Sequence, residues 1–160
     1  MPKTMFTKIA SLLAAAAVSG CVMASSEPSP LPPLAQDQSQ PALALLEHVL
    51  TGYFAGAGAN GPTACAALAP TALTDAQETA LIGRFVRLAP GARCKAQGAG
   101  VVDSVTGDPA VLVQVYDFSC ANAGLCSGWV SAPGAPATRY ALRFEGGEWR
   151  FDGDPRIIAQ

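Results

Sequence analysis

The fold is decided by the stretch Tyr140-Ala141-Leu142-Arg143-Phe144-Glu145-Gly146-Gly147-Glu148-Trp149-Arg150-Phe151-Asp152-Gly153, in which two alternating runs flank a glycine pair. Two adjacent glycines suit a two-residue hairpin turn, whose central residues need positive φ. In that register Phe144 faces Trp149 and Leu142 faces Phe151 on one side, and Tyr140 extends the apolar row. The charged residues share the other side. The stretch therefore predicts a β-hairpin with one buried face.

Helical periodicity precedes the hairpin. Leu43, Leu46, Leu50 and Phe54 recur at the spacing of one helix face, which predicts a helix over residues 42–54. A second helix is expected to begin near Thr74 or Asp75, because Thr74 and Gln77 match a capping box, and to end before Pro90. Pro62 suits the first position of a helix, so a short helical turn is expected over residues 62–68.

Strand patterns follow the second helix. Residues 94–104, 111–120 and 129–132 are rich in residues that favour strands, and turn residues lie between them. With the final hairpin, they predict an α+β fold in which N-terminal helices pack on a curved antiparallel sheet of about four to five strands.

The strand over 111–120 is apolar on both faces. Alternation places Leu112, Tyr116 and Phe118 on the face opposite the valines. A strand buried on both sides needs a second covering layer. Either a second copy of the chain, giving a homodimer through the sheet, or a loop from residues 121–137 is expected to supply it.

The N-terminus has the pattern of an export signal. Lys3 and Lys8 precede an apolar run over residues 9–18 that is too short to span a bilayer. The following Val18-Ser19-Gly20-Cys21 resembles the bacterial lipoprotein signal, which implies that residues 1–20 are removed and that Cys21 is lipidated. The alternative is an ordinary secretory signal cut after Ala24.

A tether and one domain are expected after the signal. Residues 21–41 combine Cys21 with a Pro/Ser-rich spacer that lacks apolar periodicity, and residues 42–160 form the domain. Val22 occupies the position where an Asp commonly retains such lipoproteins in the inner membrane. The expected location is therefore the cell envelope, on the periplasmic face of the outer membrane where the host has one.

Composition excludes some partners. The chain of 160 residues has a formal net charge of −2 and only 14 % charged residues, so it lacks the basic face that nucleic acids require. The bilayer, reached through Cys21, is the expected partner, together with a small apolar ligand or another envelope protein.

Four cysteines follow Cys21, namely Cys65, Cys94, Cys120 and Cys126. An even number in an exported chain predicts two disulfides, for which three connectivities exist. The bond Cys120–Cys126 would close a short loop between successive strands. A metal site is not expected, because the cysteines lack Cys-x-x-Cys spacing and histidine partners.

Few residues are candidates for chemistry. His48 is the single histidine and falls on the solvent face of the first helix, so no catalytic triad is expected. The glycine motif over residues 56–61 follows a helix rather than a strand, so it is interpreted as a loop and not as a nucleotide site. Asp103 could act as an acid or base beside Tyr116 or Tyr140.

The order of elements and the Tyr-x-Leu-x-Phe-x-Gly-Gly-x-Trp-x-Phe-Asp-Gly hairpin resemble the NTF2-like (SnoaL-like) family, in particular its exported bacterial lipoprotein members. The resemblance covers residues 42–158 and implies a cone of helices against a curved sheet. It also implies the pairing Cys65–Cys94, which leaves Cys120 for Cys126. The family includes both enzymes and binding domains, so fold alone does not assign an activity.

The sequence therefore predicts a membrane-anchored lipoprotein with a non-enzymatic ligand- or protein-binding domain, without catalytic residues or cofactors. The alternative is a small pocket enzyme with acid/base chemistry of the isomerase or dehydratase kind, for which Asp103, Tyr116 and Tyr140 are the pocket candidates.

Overall fold

The structure, a computed structural model, describes residues 32–57 and 61–158, with side chains described as far as Gly153. The predicted signal, Cys21 and the first part of the tether lie outside these residues. Two helices and eight strands are described, in an α+β arrangement: α1 Pro41–Ala57, β1 Thr63–Leu68, α2 Asp75–Arg84, β2 Leu88–Ala89, β3 Cys94–Gln97, β4 Gly100–Asp103, β5 Pro109–Asn122, β6 Leu125–Ser131, β7 Thr138–Glu145 and β8 Glu148–Ile158.

All eight strands belong to one mixed sheet. Its main order is β2-β1-β5-β6-β7-β8, and the β3–β4 hairpin joins it through β5. Strand β1 is parallel to both β2 and β5, whereas the other pairings are antiparallel. The expectation of an antiparallel sheet of four to five strands is therefore wrong, because segments outside the final meander also pair with β5.

The expected helical turn over residues 62–68 is also wrong. Thr63–Leu68 forms β1, whose six residues pair in register with β5 from Ala110 to Val115. Its alanines have little strand propensity, but their small side chains allow the strand to be buried within the sheet. Tertiary pairing has overridden local propensity here.

Helix α1 covers one face of the sheet. Its apolar stripe packs against β5, β6 and β8, and it is longer than predicted by one residue at the start and three at the end. The core between helix and sheet is built from large, fully buried side chains, among them Leu45, Leu46, Leu50, Val113, Val115 and Leu142.

Helix α2 begins as predicted and ends early. Thr74 accepts from the Gln77 backbone while the Gln77 side chain accepts from the Thr74 backbone, so the capping box is confirmed. The helix stops at Arg84 rather than before Pro90, because Leu88 and Ala89 pair with β1 as the parallel strand β2.

The register of the final hairpin is confirmed. Glu145 pairs with Glu148, Phe144 with Trp149 and Leu142 with Phe151, around a turn in which both glycines have positive φ. The rings of Phe144 and Trp149 meet edge to face at 5.2 Å. The alternating pattern was sufficient here because both strands belong to one local unit.

Both expected disulfides are present. Cys65–Cys94 joins β1 to the start of β3, and Cys120–Cys126 links directly paired positions of β5 and β6. Each bond therefore connects elements that the sheet already brings together.

Strand β5 contains a bulge that changes which residues face the core. Asp117 has a φ of 50°, and the pairing with β6 shifts between Tyr116 and Ser119. The extra residue turns Phe118 to the same side as Val115, where it packs on the core. The expectation that Phe118 shares a face with Tyr116 is therefore wrong.

The folded region begins before the predicted boundary at residue 42. Residues 32–40, here called the strap, contain a short 3-10 helix at Leu34–Gln36, and Leu34 is buried in the core cluster. The backbone N–H of Leu34 donates to Glu47 Oε2 at 2.7 Å. The strap is thus part of the domain, because Leu34 is buried in the core and backbone groups of the strap form hydrogen bonds with the rest of the domain.

None of the helices within residues 32–57 and 61–158 has the length and apolar character needed to cross a bilayer.

Candidate functional site

The first sequence candidate, Asp103, lies at the end of β4 and is fully buried. Arg93 holds its carboxylate with two donors: Nε donates to Oδ1 at 3.0 Å, and Nη2 donates to Oδ2. The backbone N–H of Val105 donates to Oδ1 at 2.9 Å. Asp103 therefore ends its strand with both carboxylate oxygens accepting hydrogen bonds from protein donors.

These donors set the charge of Asp103. The hydrogen bond from Arg93, followed by that from the Val105 backbone, lowers the pKa of Asp103 to about 2. The same contact raises the pKa of Arg93. A general base needs a pKa nearer the working pH and access to substrate. The geometry instead fits an ion pair that fixes the β3–β4 hairpin to the turn before β5.

The three pocket candidates do not converge. Tyr116 lies seven residues along β5 from Pro109, the strand residue that pairs beside Asp103, and this is roughly 23 Å in an extended strand. Tyr140 lies on the helix-covered side, where its ring packs over Gly153 and meets His48. The predicted constellation of Asp103 with a tyrosine is therefore not formed.

His48 is exposed, yet one side of its ring is covered. The imidazole stacks on Phe151 at 4.4 Å with an interplanar angle of 14°, and Tyr140 meets it edge to face at 6.0 Å. Burial lowers the pKa of the His48 imidazole.

A cleft of about 310 Å³ lies next to His48, between α1 and the strap. Glu47 and Arg84 form an ion pair across it at 2.7 Å, and both side chains are mostly buried. Arg84 Nη2 also donates to the Pro32 carbonyl at 2.7 Å. The polar groups of this cleft therefore fasten the strap.

A small apolar cavity of about 170 Å³ lies at the edge of the core, between the first turn of α1 and the loop after β1. Thr71 supplies the only polar side chain of its lining, which consists of Ala42, Leu68, Ala69, Pro70, Thr71, Val115 and Phe118. Its volume is close to that of engineered cavities that bind benzene. It is large enough for one ring or a short alkyl group.

The sheet face away from α1 carries a row of large side chains. Tyr116 pairs with Trp129, and Trp129 pairs with Arg139, so these three residues lie side by side across β5, β6 and β7. Their neighbours Val115 and Val130 point to the core, which places the row on the opposite side. Leu112 and Gln114 extend it along β5. This set of five residues is here called the outer face.

Among the described residues, no group of three or more His, Cys, Asp or Glu side chains is placed to hold a metal ion. The first residues of the glycine motif, Gly56 and Ala57, end α1. The following residues 58–60 lie outside the described residues.

The strap and the outer face were missed in the sequence. Leu34 lies in a proline-rich segment without apolar periodicity, so the sequence did not indicate that the strap is folded. The row Tyr116–Trp129–Arg139 joins residues from three strands, so only the register aligns it. The one available hint was the apolar character of strand 111–120 on both faces.

No protein-family model, curated protein or solved structure matches this chain. The arrangement of its own residues therefore carries the functional argument.

Proposed function

We propose that this protein is a lipid-anchored lipoprotein of the bacterial cell envelope whose domain binds another envelope protein without catalysing a reaction. The anchor rests on Val18-Ser19-Gly20-Cys21 after an apolar run, and attachment through two or more acyl chains is effectively stable. The binding function rests on the outer face. Membership of the NTF2-like family belongs to the same proposal.

Two features support the family proposal. A helix lies on a curved sheet, and the final hairpin has the register on which the resemblance rested. The parallel strand β1 is a departure from the sheet that the resemblance implied. The family proposal therefore rests on the helix, the curved sheet and the final hairpin.

The single observation that carries the binding function is the row Tyr116–Trp129–Arg139. Tryptophan, tyrosine and arginine are the residue types that dominate the energetics of protein interfaces. Here all three lie on adjacent strands of one rigid sheet, so they need little ordering on association. Tyr116 and Trp129 remain partly exposed.

The interior offers less room for small-molecule chemistry. The space between α1 and the sheet is filled by fully buried leucines and valines. The candidate acid, Asp103, is engaged by Arg93. These observations favour binding at a surface over acid/base catalysis in a pocket.

A small apolar ligand is the second candidate, and the cavity beside Phe118 is the observation that favours it. Its lining is apolar and its volume suits a single ring. Binding there would be measured with a small aromatic probe, and it would be lost on Leu68→Phe, which fills the cavity.

The anchor is tested by Cys21→Ser. Without the thiol the chain cannot be lipidated, so the variant should leave the membrane fraction or remain unprocessed. Fractionation of envelopes and the mass of the mature N-terminus measure this. A variant that matures and stays with membranes like the wild type would contradict the lipid anchor.

The binding function is tested by placing a photoreactive amino acid at Gln114, on the outer face, in intact cells. A discrete heterologous adduct is expected from this position. The matched control is Thr51, an exposed residue of α1 on the opposite side of the sheet, which should give none. An adduct at twice the protein's own mass would instead indicate a homodimer through the sheet.

Affinity for the partner recovered in this way then decides the role of the row. Trp129→Ala and Arg139→Ala should each weaken binding by at least about tenfold, which corresponds to about 1.4 kcal/mol. Arg139 is exposed, so its variant keeps the fold intact. Unchanged affinity in both variants, with Thr51→Ala as reference, would exclude the outer face as the binding surface.

A further inference from the structure

The outer face is rich in hydrogen-bond donors and lacks carboxylates. Four of its five residues carry a side-chain N–H or O–H group, namely Gln114, Tyr116, Trp129 and Arg139. Of these four side chains, Arg139 alone donates to a described residue, the Ser127 hydroxyl at 3.3 Å. The other donors are therefore free to bind a partner.

Two of these donors belong to aromatic rings on neighbouring strands. Tyr116 and Trp129 are directly paired across β5 and β6, which places their Cβ atoms about 4.5–5.5 Å apart. Both are partly exposed, and among the described residues neither belongs to the side chains that pack on the core cluster. The two residues therefore form an aromatic pair on the surface.

A groove of about 410 Å³ continues the outer face along β5 and is here called the notch. It forms because β4 pairs with β5 only as far as Ala110, whereas β6 begins to pair at Gln114. Leu112 and Gln114 of the outer face line it, together with apolar residues of the flanking segments such as Val101 and Pro133. The notch therefore adds a partly apolar site beside the aromatic pair.

The spacing of the aromatic pair and the notch fits a polyproline II helix. Tyr116 and Leu112 are four positions apart on β5, which is about 13 Å at the rise of a strand. Four residues of polyproline II span about 12 Å. This helix has no internal hydrogen bonds and its prolines have no N–H, so it presents carbonyl acceptors without matching donors. The outer face supplies the donors that such a segment needs.

We propose that the outer face and the notch bind a proline-rich segment of the partner protein in the polyproline II conformation. This inference names the chemistry of the partner and rests on the proposed binding function. Proline rings pack against Tyr116 and Trp129 and in the notch, while Gln114 and Arg139 donate to carbonyl oxygens. Aromatic-lined grooves recognise such segments, and the preformed helix lowers the ordering cost of binding.

Other modes of peptide recognition fit this surface less well. Addition of a β-strand needs a free sheet edge, but β5, β6 and β7 are interior strands of the sheet. An amphipathic helix needs an apolar groove for its apolar stripe, whereas the outer face includes the amide of Gln114 and the charge of Arg139. A segment that presents acceptors and rings matches both properties of the face.

The test uses the full mature protein in detergent micelles, labelled with 5-fluorotryptophan, and decaproline as the probe. The two tryptophans, Trp129 and Trp149, give separate fluorine resonances, which the variant Trp129→Phe assigns. Decaproline should shift the Trp129 resonance saturably and leave that of the buried Trp149 unchanged. A glycine–serine peptide of equal length should bind at least about tenfold more weakly. A Trp129 resonance that does not move, or equal affinity for the two peptides, would overturn the inference.

Variants measured by calorimetry decide whether the donors act. Gln114→Glu keeps the size of the side chain but replaces the amide donor by a carboxylate, so it should weaken decaproline binding severalfold. Arg139→Ala should do the same. Its matched control is Arg143→Ala, which removes an exposed arginine from the same side of β7, further from the notch, and should leave the affinity unchanged. Binding that survives both of the first two changes, or that falls equally in the control, would contradict recognition by the outer face.

Cross-linking from Gln114 in isolated envelopes separates this inference from the proposed function. A heterologous adduct that excess decaproline does not displace would contradict only the proline-rich segment. If no heterologous adduct forms, the proposed function fails, even where decaproline binds the purified protein. An adduct at twice the protein's own mass that decaproline abolishes would assign the surface to a second copy of this chain and would also overturn the proposal.

Discussion

The indole N–H of Trp149 donates to the backbone carbonyl of Asp37 at 3.0 Å, across 112 residues of sequence. The ring itself is 2 % exposed and lies in the core beside Phe144. One side chain of the last hairpin thus closes the core and fixes the strap. Asp37 also accepts from Ser39 and Gln40, which shapes the turn into α1.

Trp149→Ala should destabilise the domain by about 3–5 kcal/mol, because it leaves a large cavity and frees the strap. Trp149→Phe keeps most of the apolar volume and loses the hydrogen bond, so it should cost less. Urea denaturation at neutral pH measures both. An unchanged unfolding midpoint for Trp149→Ala would contradict a core role.

Stability should depend on acid through Asp103. Its pKa of about 2 lies below the value of about 3.9 expected in the unfolded chain. The pair with Arg93 therefore stabilises the fold fully above about pH 4, and this stabilisation is lost as the pH falls towards 2. The urea midpoint of Asp103→Asn should be lower than that of the wild type at pH 6, and the gap should narrow between pH 4 and 2.

Arg93→Gln provides the check on this assignment. Because the two residues share one contact, the double variant should lose less than the sum of the two single losses at pH 6. Additive losses, or a gap for Asp103→Asn that stays constant with pH, would show that the ion pair is not the cause.

The two disulfides should contribute unequally. Cys65 and Cys94 are 29 positions apart and Cys120 and Cys126 only 6, so loop-closure entropy assigns them roughly 3.6 and 2.4 kcal/mol. Removing each pair by double alanine substitution and measuring urea unfolding tests the order. Non-reducing peptide mapping checks the connectivity, and a crossed pair would refute it.

Gly128→Ala should cost about 1–3 kcal/mol through crowding. An added Cβ would lie 2.6 Å from Cδ2 of Phe118, the ring that the Asp117 bulge turns onto the core. In a Phe118→Ala background the same substitution should cost much less, which a double-mutant cycle by thermal unfolding would measure. Gly52→Ala is the control: nothing lies within 4 Å, and alanine favours the helix.

Local sequence was sufficient wherever partners are neighbours along the chain. The glycine pair fixed the register of β7 and β8, and Thr74 with Gln77 fixed the start of α2. In both cases the contacts span a few residues, so the pattern contains all of the geometry. The end of α2 was not predictable, because β2 exists only by pairing with β1.

The candidate site was predicted less well than the fold. Asp103 was identified as a candidate pocket acid, but the β3–β4 hairpin brings Arg93, ten residues away in sequence, back to pair with it. Tyr116 or Tyr140 was expected beside Asp103 as a hydroxyl donor. The register instead places Tyr116 on the outer face and Tyr140 against α1.

The sequence by itself determined the α+β class, the two helices, the last hairpin and the number of cysteines available for disulfides, because these follow from periodicity and from contacts close along the chain. The tertiary structure alone decided that Thr63–Leu68 is a parallel strand, that Phe118 faces the core, that Leu34 and the strap belong to the domain, and that Tyr116, Trp129 and Arg139 form one row. Each of these depends on partners distant in sequence, whose register and burial no local pattern encodes.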